Sequence, residues 1–236
     1  MLFVERGGRG VAGVGRAGDS GAAYLGDGLV RQGPGFGIQV RNAGTIGCGL
    51  ITAGGRLRLD GGGYRPDPEW CGDWPARWRA ELVSFEPDVA LLVIGWPGLG
   101  DREVEGRWRH PCDPVFDAAY AAEVRHAVDV LASTGARVVV ADVPYLTLPV
   151  VQRDAAERVE CLNAIYRDAG VDVLGLSDWL CESSSKCTIE QDGVTLRSDG
   201  VHFRDDGADV AAAWVLPELL AHAGEEQRTE HRERRR

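Results

Sequence analysis

The sequence predicts an α/β protein, a three-layer α/β/α sandwich built on a mostly parallel five-stranded sheet. Two observations support this prediction. Short apolar segments rich in branched residues recur along the chain, and amphipathic segments with helical spacing separate them. Strands that are apolar on both faces are typical of a parallel sheet covered by helices on both sides. No linker or internal repeat divides residues 1–222, so we expect them to form a single domain.

The strands are predicted from apolar runs bounded by glycine or polar residues. In chain order these runs are 37–44 (GIQVRNAG), 88–95 (DVALLVIG), 136–143 (ARVVVADV) and the weaker 171–176 (VDVLGL). A further strand is needed earlier in the chain, and the segment 11–18 (VAGVGRAG) stands in its place. Its glycines disfavour a strand, so this element is the weakest of the five.

The helices are predicted from the spacing of apolar residues and from their end signals. The segment 70–85 has helical character after a proline suited to a first turn. Segments 113–135 and 152–170 are amphipathic and each ends at a glycine. A last helix spans roughly residues 206–222. The charged segment 223–236 has no apolar face and is predicted to be a disordered tail.

Charge and hydropathy limit the classes of function. The formal net charge of -10 argues against nucleic acid as the main partner. No apolar run reaches the roughly 18 residues that a membrane span requires. The first ten residues lack the long apolar core of a signal peptide. As written, the chain is expected to be cytoplasmic or to be a piece of a larger protein.

Residues 13–28 (GVGRAGDSGAAYLGDG) allow two interpretations. The first six match the G-x-G-x-x-G loop of dinucleotide-binding proteins. That loop needs a firm preceding strand and an acidic residue about 20 positions later. Here the preceding segment is a poor strand and the acid is lacking, although Arg41 can face a 2′-phosphate. The next three, Gly18-Asp19-Ser20, instead present a serine at the start of a helix. The first helical amides and the helix dipole can stabilise an oxyanion there, which favours a nucleophile.

A serine nucleophile needs a histidine base and a carboxylate that orients the base. Of the five histidines, His202 stands apart because it directly precedes the last predicted helix, and Asp199 lies three residues before it. On a loop, this spacing allows the carboxylate to reach Nδ1 and leaves Nε2 facing a serine. Ser20, Asp199 and His202 are therefore the candidate catalytic residues. The structural alternatives are a helix cap at Ser20 and a turn residue at Asp199.

The blocks GDS, GCG, W…RW, LLVIGW and DGVHF occur in this order over roughly residues 12–220. Together they resemble the SGNH (GDSL-type) hydrolase superfamily, most closely the SGNH domain found C-terminal in membrane sugar O-acyltransferases. The resemblance implies a flavodoxin-like fold and an acyl-enzyme on Ser20, with no metal or organic cofactor. It implies an esterase or O-acyltransferase acting on an acylated carbohydrate or cell-envelope substrate. It also implies an extracytoplasmic location and a membrane acyltransferase partner or a lost membrane domain.

The resemblance also assigns roles around the nucleophile. It makes the backbone N–H groups of Ser20 and Gly47 the oxyanion donors. Pro97 stands where the family usually has an asparagine donor, and proline has neither a side-chain donor nor an N–H. Losing one such donor costs about a hundredfold in rate. The alternative function is therefore an impaired domain that binds glycan or positions a partner. The candidate substrate-binding residues are Trp96, Arg102 and Trp108. Of these, Trp96 or Arg102 can replace the missing donor.

Six cysteines leave the redox state open. They lack the paired C-x-x-C spacing of a zinc site. Six reduced and mostly buried thiols are one interpretation. Cys181 and Cys187 flank a short loop and can close a local disulfide. The resemblance to extracytoplasmic domains implies this disulfide and a second one, Cys48–Cys71, next to the Gly47 loop.

Overall fold

The computed structural model describes residues 2–6, 19–51, 55–58, 63–147 and 154–233, and it has a mixed α/β fold. The strands that form its central sheet are Leu2–Arg6 (β1), Ile38–Asn42 (β2), Val89–Val93 (β5), Arg137–Ala141 (β8) and Asp172–Leu174 (β9). Shorter strands are Arg56–Arg58 (β3), Tyr64–Pro66 (β4), Arg102–Val104 (β6), Arg107–Arg109 (β7), Cys181–Ser183 (β10), Lys186–Cys187 (β11), Glu190–Gln191 (β12) and Val194–Thr195 (β13).

The helices surround this sheet. They are Ser20–Gln32 (α1), Glu69–Gly72 (α2), Trp74–Phe85 (α3), Trp96–Leu99 (α4), Pro114–Ala132 (α5), Ala155–Arg167 (α6), Leu176–Leu180 (α7) and Asp205–Glu233 (α8), with a 3-10 turn at Gly33–Phe36. None of the described helices combines the length and the apolarity that crossing a bilayer would require. The last helix continues through most of the segment predicted as a disordered tail, because Glu, Gln and Arg favour helix even without an apolar face.

The central sheet corrects the predicted topology. Its strand order is β2-β1-β5-β8-β9, and strands β5, β8 and β9 are parallel. Strand β1 is antiparallel to both of its neighbours, so the sheet is mixed and the prediction of a mostly parallel sheet is wrong. The described residues also form three smaller sheets that the sequence did not indicate. Apolar composition shows that a strand is buried, but it does not record the direction in which the chain crosses the sheet.

Strand β1 also differs from the predicted first strand. It lies at Leu2–Arg6, whereas the predicted segment 11–18 lies outside the described residues. The four other predicted strands are present as β2, β5, β8 and β9.

Two apolar layers lie on opposite faces of the sheet. Leu91 of β5 packs with residues of α1 and α8, whereas its neighbour Leu92 packs with residues of α3, α5 and α6. This alternation follows from the geometry of a strand, in which successive side chains point to opposite faces. Burying both faces places the carboxyl ends of β5 and β8 beside the start of α1, and that edge holds the candidate site.

Three disulfides link the described chain, and none of its cysteines is free. They join Cys48 to Cys71, Cys112 to Cys161, and Cys181 to Cys187. The structure therefore differs from the interpretation of six reduced thiols. The pair Cys112–Cys161 was not predicted, because its partners are 49 positions apart and only the packing of α5 against α6 brings them together.

Candidate active site

The start of helix α1 is held by a buried carboxylate. Asp19 is the N-cap, and its Oδ1 accepts a hydrogen bond from the Ala22 amide at 3.0 Å. Its Oδ2 accepts one from the Gly95 amide at 2.7 Å, which ties the helix start to the end of β5. Burial raises the pKa of Asp19, and these hydrogen bonds oppose the rise. Because Asp19 is the cap, the alternative role of Ser20 as the cap does not apply.

A continuous line of hydrogen bonds joins the three candidate catalytic residues. Ser20 Oγ lies 2.7 Å from His202 Nε2, and His202 Nδ1 lies 2.7 Å from Asp199 Oδ2. In the tautomer with the proton on Nδ1, the ring donates to Asp199 and Nε2 accepts the hydroxyl proton of Ser20. This is the arrangement that lets a histidine remove a proton from serine.

Asp199 is fixed by more than the histidine ring. Its Oδ1 accepts hydrogen bonds from the amides of Val201 at 3.0 Å and His202 at 2.7 Å. Its Oδ2 also lies 3.1 Å from Nη2 of Arg204. Burial acts to raise the pKa of Asp199, but the hydrogen bonds from His202 and Val201 outweigh it and hold that pKa well below its usual range. Asp199 is therefore an ionised, oriented carboxylate at neutral pH.

The imidazole has an aromatic neighbour that limits its movement. The ring of Tyr24, on α1, meets the ring of His202 edge-on at a centroid distance of 5.1 Å. The guanidinium of Arg204 lies 4.1 Å from the centroid of the Tyr24 ring. Helix α1 therefore supplies both the serine and a wall for the histidine.

A cleft opens beside Ser20 at the carboxyl ends of β5 and β8, where α/β sheets usually bind ligands. Its empty volume, including the part open to solvent, is about 520 Å³. Most of its lining is apolar and includes Leu25, Ile94, Val143, Leu146, Leu176 and Phe203. The polar side chains in the lining are Asp19, Ser20, Asp142, Arg197 and His202.

Helix α6 holds two walls of this cleft in place. Asn163 clamps Val143 after β8, since its Oδ1 accepts from the amide at 2.8 Å and its Nδ2 donates to the carbonyl at 3.0 Å. The Tyr166 hydroxyl donates to the Ile94 carbonyl after β5 at 2.6 Å. Both contacts satisfy backbone groups where the strands end, so the loops lining the cleft have defined positions.

Of the predicted site residues Trp96, Gly47 and Trp108, the structure places only the first in the cleft lining. Trp96 lines the cleft. Gly47 is not in its lining; it occupies a turn with φ of +84°, a conformation that favours glycine. Trp108 lies on β7, 38% exposed, and packs near Tyr64 at a centroid distance of 6.3 Å, away from the cleft lining.

The prediction that Arg102 contacts substrate needs correction. Arg102 is 1% exposed and does not line the cleft. Its guanidinium forms a salt bridge with Asp67 and donates to the carbonyls of Ile51 at 2.7 Å and Pro97 at 3.0 Å. These contacts fasten β6 of the four-stranded sheet to α4 and to the segments that contain Ile51 and Asp67. The sequence showed its proximity to the LLVIGW block but not its burial.

Two residues that line the cleft, Asp142 and Arg197, were not predicted from the sequence. Asp142 follows β8, is 8% exposed, and accepts a hydrogen bond from the Ser177 amide at 2.7 Å. Burial raises the pKa of Asp142. Arg197 is 4% exposed, and burial lowers the pKa of its guanidinium to about 10. The only sequence signal for Arg197 was its position two residues before Asp199.

Within the described ranges, no group of three or more His, Cys, Asp or Glu side chains is arranged to hold a metal ion.

Comparisons with known proteins add a family. Among solved structures, the chain is similar to a Bacteroides fragilis crystal structure titled a "putative acylhydrolase". The two share 14% identity with a TM-score of 0.49, and the similarity covers 87% of this chain and 85% of the other. No curated protein sequence matches the chain. Residues 13–218 match the family described as "Protein of unknown function (DUF459)". The chain therefore belongs to the DUF459 family.

Proposed function

We propose that this protein is a serine-dependent ester hydrolase that works through an acyl-enzyme on Ser20. The observation that carries the proposal is the hydrogen-bonded line from Ser20 through His202 to Asp199, with 2.7 Å at each step between side chains. A serine hydroxyl alone is a weak nucleophile, and an oriented histidine beside it supplies the base that it needs. The line ends in a largely apolar cleft that can hold the acyl part of an ester.

In the first half of the reaction, Ser20 Oγ attacks the carbonyl carbon of the ester while His202 Nε2 takes the hydroxyl proton. Asp199 stabilises the imidazolium that results. The bond from the carbonyl carbon to the alcohol oxygen then breaks, and the alcohol leaves with the proton from Nε2. The products of this half-reaction are the free alcohol and an acyl ester on Ser20.

In the second half, water attacks the acyl carbon as His202 takes one of its protons. The bond to Ser20 Oγ breaks, the serine regains its proton from Nε2, and a carboxylic acid is released. A sugar hydroxyl in place of water transfers the acyl group instead of hydrolysing it. The resemblance to SGNH domains supports such an O-acyltransferase role, a carbohydrate substrate and a membrane acyltransferase partner.

Charge develops on the carbonyl oxygen during both attacks. Ser20 is the first residue of α1, where helix amides lack intrahelical acceptors and the helix dipole favours negative charge. Its own N–H is therefore the first oxyanion donor in this proposal. The resemblance to SGNH domains supplies the second, Gly47 N–H, which belongs to a turn outside the cleft lining. Pro97 is buried and offers no donor, and the Gly95 amide is already bound to Asp19.

Neither Pro97 nor the Gly95 amide can donate to the oxyanion. This favours a second candidate function, an impaired domain that binds a glycan. Labelling and turnover decide between the two. The wild-type protein is expected to react with a fluorophosphonate probe at Ser20 and to hydrolyse 4-nitrophenyl acetate. Ser20→Ala should lower the rate by about 10,000-fold or more and abolish labelling. Ser185→Ala, at an exposed serine, is the matched control and should behave as wild type.

The contrary result is a wild-type protein that is folded by circular dichroism but neither labelled nor active. That result would overturn the hydrolase. Glycan binding that survives Ser20→Ala would then support the impaired domain.

A further inference from the structure

Arg197 is a buried cation, and two of its three guanidinium nitrogens, Nε and Nη2, have no hydrogen-bond partner among the described residues. The residue is part of the lining of the cleft that contains Ser20 and His202, and it is 4% exposed. Burying a charge without hydrogen bonds is unfavourable, so buried guanidinium groups are normally paired.

The other buried arginines of the described chain follow that rule. Arg102 binds Asp67 and two backbone carbonyls. Arg158 binds Asp101 and Asp154 and also donates to the Leu99 carbonyl. Arg197 is the exception among the three, and it is also the one that lines the cleft.

The carboxylates that line the cleft, Asp19 and Asp142, and the adjoining Asp199 already accept hydrogen bonds. Asp199 interacts electrostatically with Arg197, but its oxygens accept from Val201, His202 and Arg204. Asp142 accepts from the Ser177 amide. With a pKa of about 10, Arg197 is still charged at neutral pH. The cleft lining therefore includes a positive charge, and two nitrogens of this planar guanidinium have no acceptor in the described protein.

We propose that Arg197 binds an anionic group, a carboxylate or a phosphate, on the ester that Ser20 cleaves. The guanidinium fork matches both groups. Arg197 and Ser20 line the same cleft, so the anion and the ester belong to one molecule, and the apolar walls between them accept its carbon skeleton. The inference rests on the proposed function for the identity of the ester, whereas the anion site itself does not depend on catalysis.

The first test measures binding without turnover. Propionate and inorganic phosphate are titrated by calorimetry into Ser20→Ala, alone and combined with Arg197→Met or Arg197→Lys. At least one anion should bind and raise the melting temperature, as expected for a ligand of the native state. Arg197→Met should weaken that binding about 10- to 100-fold, and Arg197→Lys should weaken it less. Arg31→Met, at an exposed salt bridge, is the matched control and should bind as the parent does.

The anion that binds identifies the substrate class, a carboxylate for propionate and a phosphate ester for inorganic phosphate. Absence of binding by both anions would overturn the proposal, as would equal binding by the Arg197→Met variant. Arg197→Met should also keep or raise the melting temperature, because it removes an unpaired buried charge. A large loss of stability would instead show that Arg197 is structural.

The second test measures preference during turnover. Mono-4-nitrophenyl adipate and its neutral methyl ester differ only in the distal carboxylate. If propionate binds, the wild type should prefer the anionic ester by about 10- to 100-fold in kcat/KM, and Arg197→Met should lose that preference. Hydrolysis of neither ester would count against the proposed function, while the binding test would still decide the role of Arg197.

Discussion

Arg102 and Arg197 are both enclosed by the protein, with 1% and 4% of their surfaces exposed, yet their surroundings are opposite. Arg102 begins β6 of the four-stranded sheet, and its guanidinium reaches Asp67 and the carbonyls of Ile51 and Pro97. Arg197 lies at the cleft, and its Nε and Nη2 reach no acceptor in the described chain. Burial alone therefore does not assign a role to a charged side chain. The hydrogen-bond partners of each guanidinium distinguish Arg102, which supports the fold, from Arg197, which can bind a ligand.

The same contrast applies to the two regions as wholes. Around Arg102, the guanidinium binds the Asp67 carboxylate and the carbonyls of Ile51 and Pro97. Around Ser20, the hydroxyl is hydrogen-bonded to His202, and Nε and Nη2 of Arg197 have no acceptor among the described residues. Unsatisfied polar groups cost stability, and proteins keep them where they meet a ligand or a reacting group.

The largest effect is expected from Asp199→Asn, which tests whether the cleft is the reactive region. An amide at this position favours the wrong tautomer of His202, so kcat for ester hydrolysis should fall about 10,000-fold. The variant should remain folded, because its side-chain oxygen can still accept from Val201 and His202 amides. Steady-state kinetics checks the prediction against Asp209→Asn, a partly exposed carboxylate paired with Arg31. A loss of less than tenfold would remove Asp199 from the proposed mechanism.

The next effect concerns stability and contrasts the two arginines directly. Arg102→Met leaves the Asp67 carboxylate buried and unpaired, which should lower the free energy of unfolding by about 3–5 kcal/mol. Arg197→Met should cause no loss. Urea denaturation of both variants checks the contrast. Arg102→Met combined with Asp67→Leu should recover part of the loss. Equal losses of unfolding free energy in Arg102→Met and Arg197→Met would contradict the proposed difference between the two arginines.

The smallest effect is a pair of opposite pH dependences within the cleft. Burial raises the pKa of Asp142, so its contribution to stability is present at low pH and is lost as the pH rises through the folded pKa. Asp142→Asn should therefore gain stability relative to wild type as the pH rises.

The pKa of Asp199 is lowered, so its contribution to stability is present above the pKa of the unfolded state and is lost as the pH falls through the folded pKa. Asp199→Asn should be less stable than wild type at neutral pH, and the difference should shrink in acid.

Urea unfolding between about pH 3 and pH 8 measures both differences. Parallel stability profiles for wild type and both variants would contradict these assignments. A change in the Asp142 variant alone would show that Asp199 is less tightly held than its hydrogen bonds indicate.

Much of the fold could be predicted locally. Four strands of the central sheet and the helices between them follow from apolar runs and helical spacing, because buried strands and amphipathic helices differ in their period. The direction of β1 and the small sheets could not be predicted, since pairing depends on distant segments. Strands such as β3 and β6 are three residues long and pair through Leu57 and Arg102, which are far apart in sequence.

The candidate site divides in the same way. Ser20, Asp199 and His202 could be selected from the sequence, because a nucleophile at a helix start and an acid three residues before a histidine are local patterns. The contacts that distinguish Arg197 from Arg102, and the pairing of Cys112 with Cys161, are not local.

The sequence by itself determined the candidate catalytic side chains and the alternation of strands and helices, because both are properties of neighbouring residues. The tertiary structure alone decided the strand directions, the disulfide that joins Cys112, just before α5, to α6, and which of the buried arginines has nitrogens without an acceptor among the described residues. The physical reason is that hydrogen-bond satisfaction and burial are properties of the packed chain. A guanidinium two residues from Asp199 and another beside Pro97 differ only in what the fold places around them.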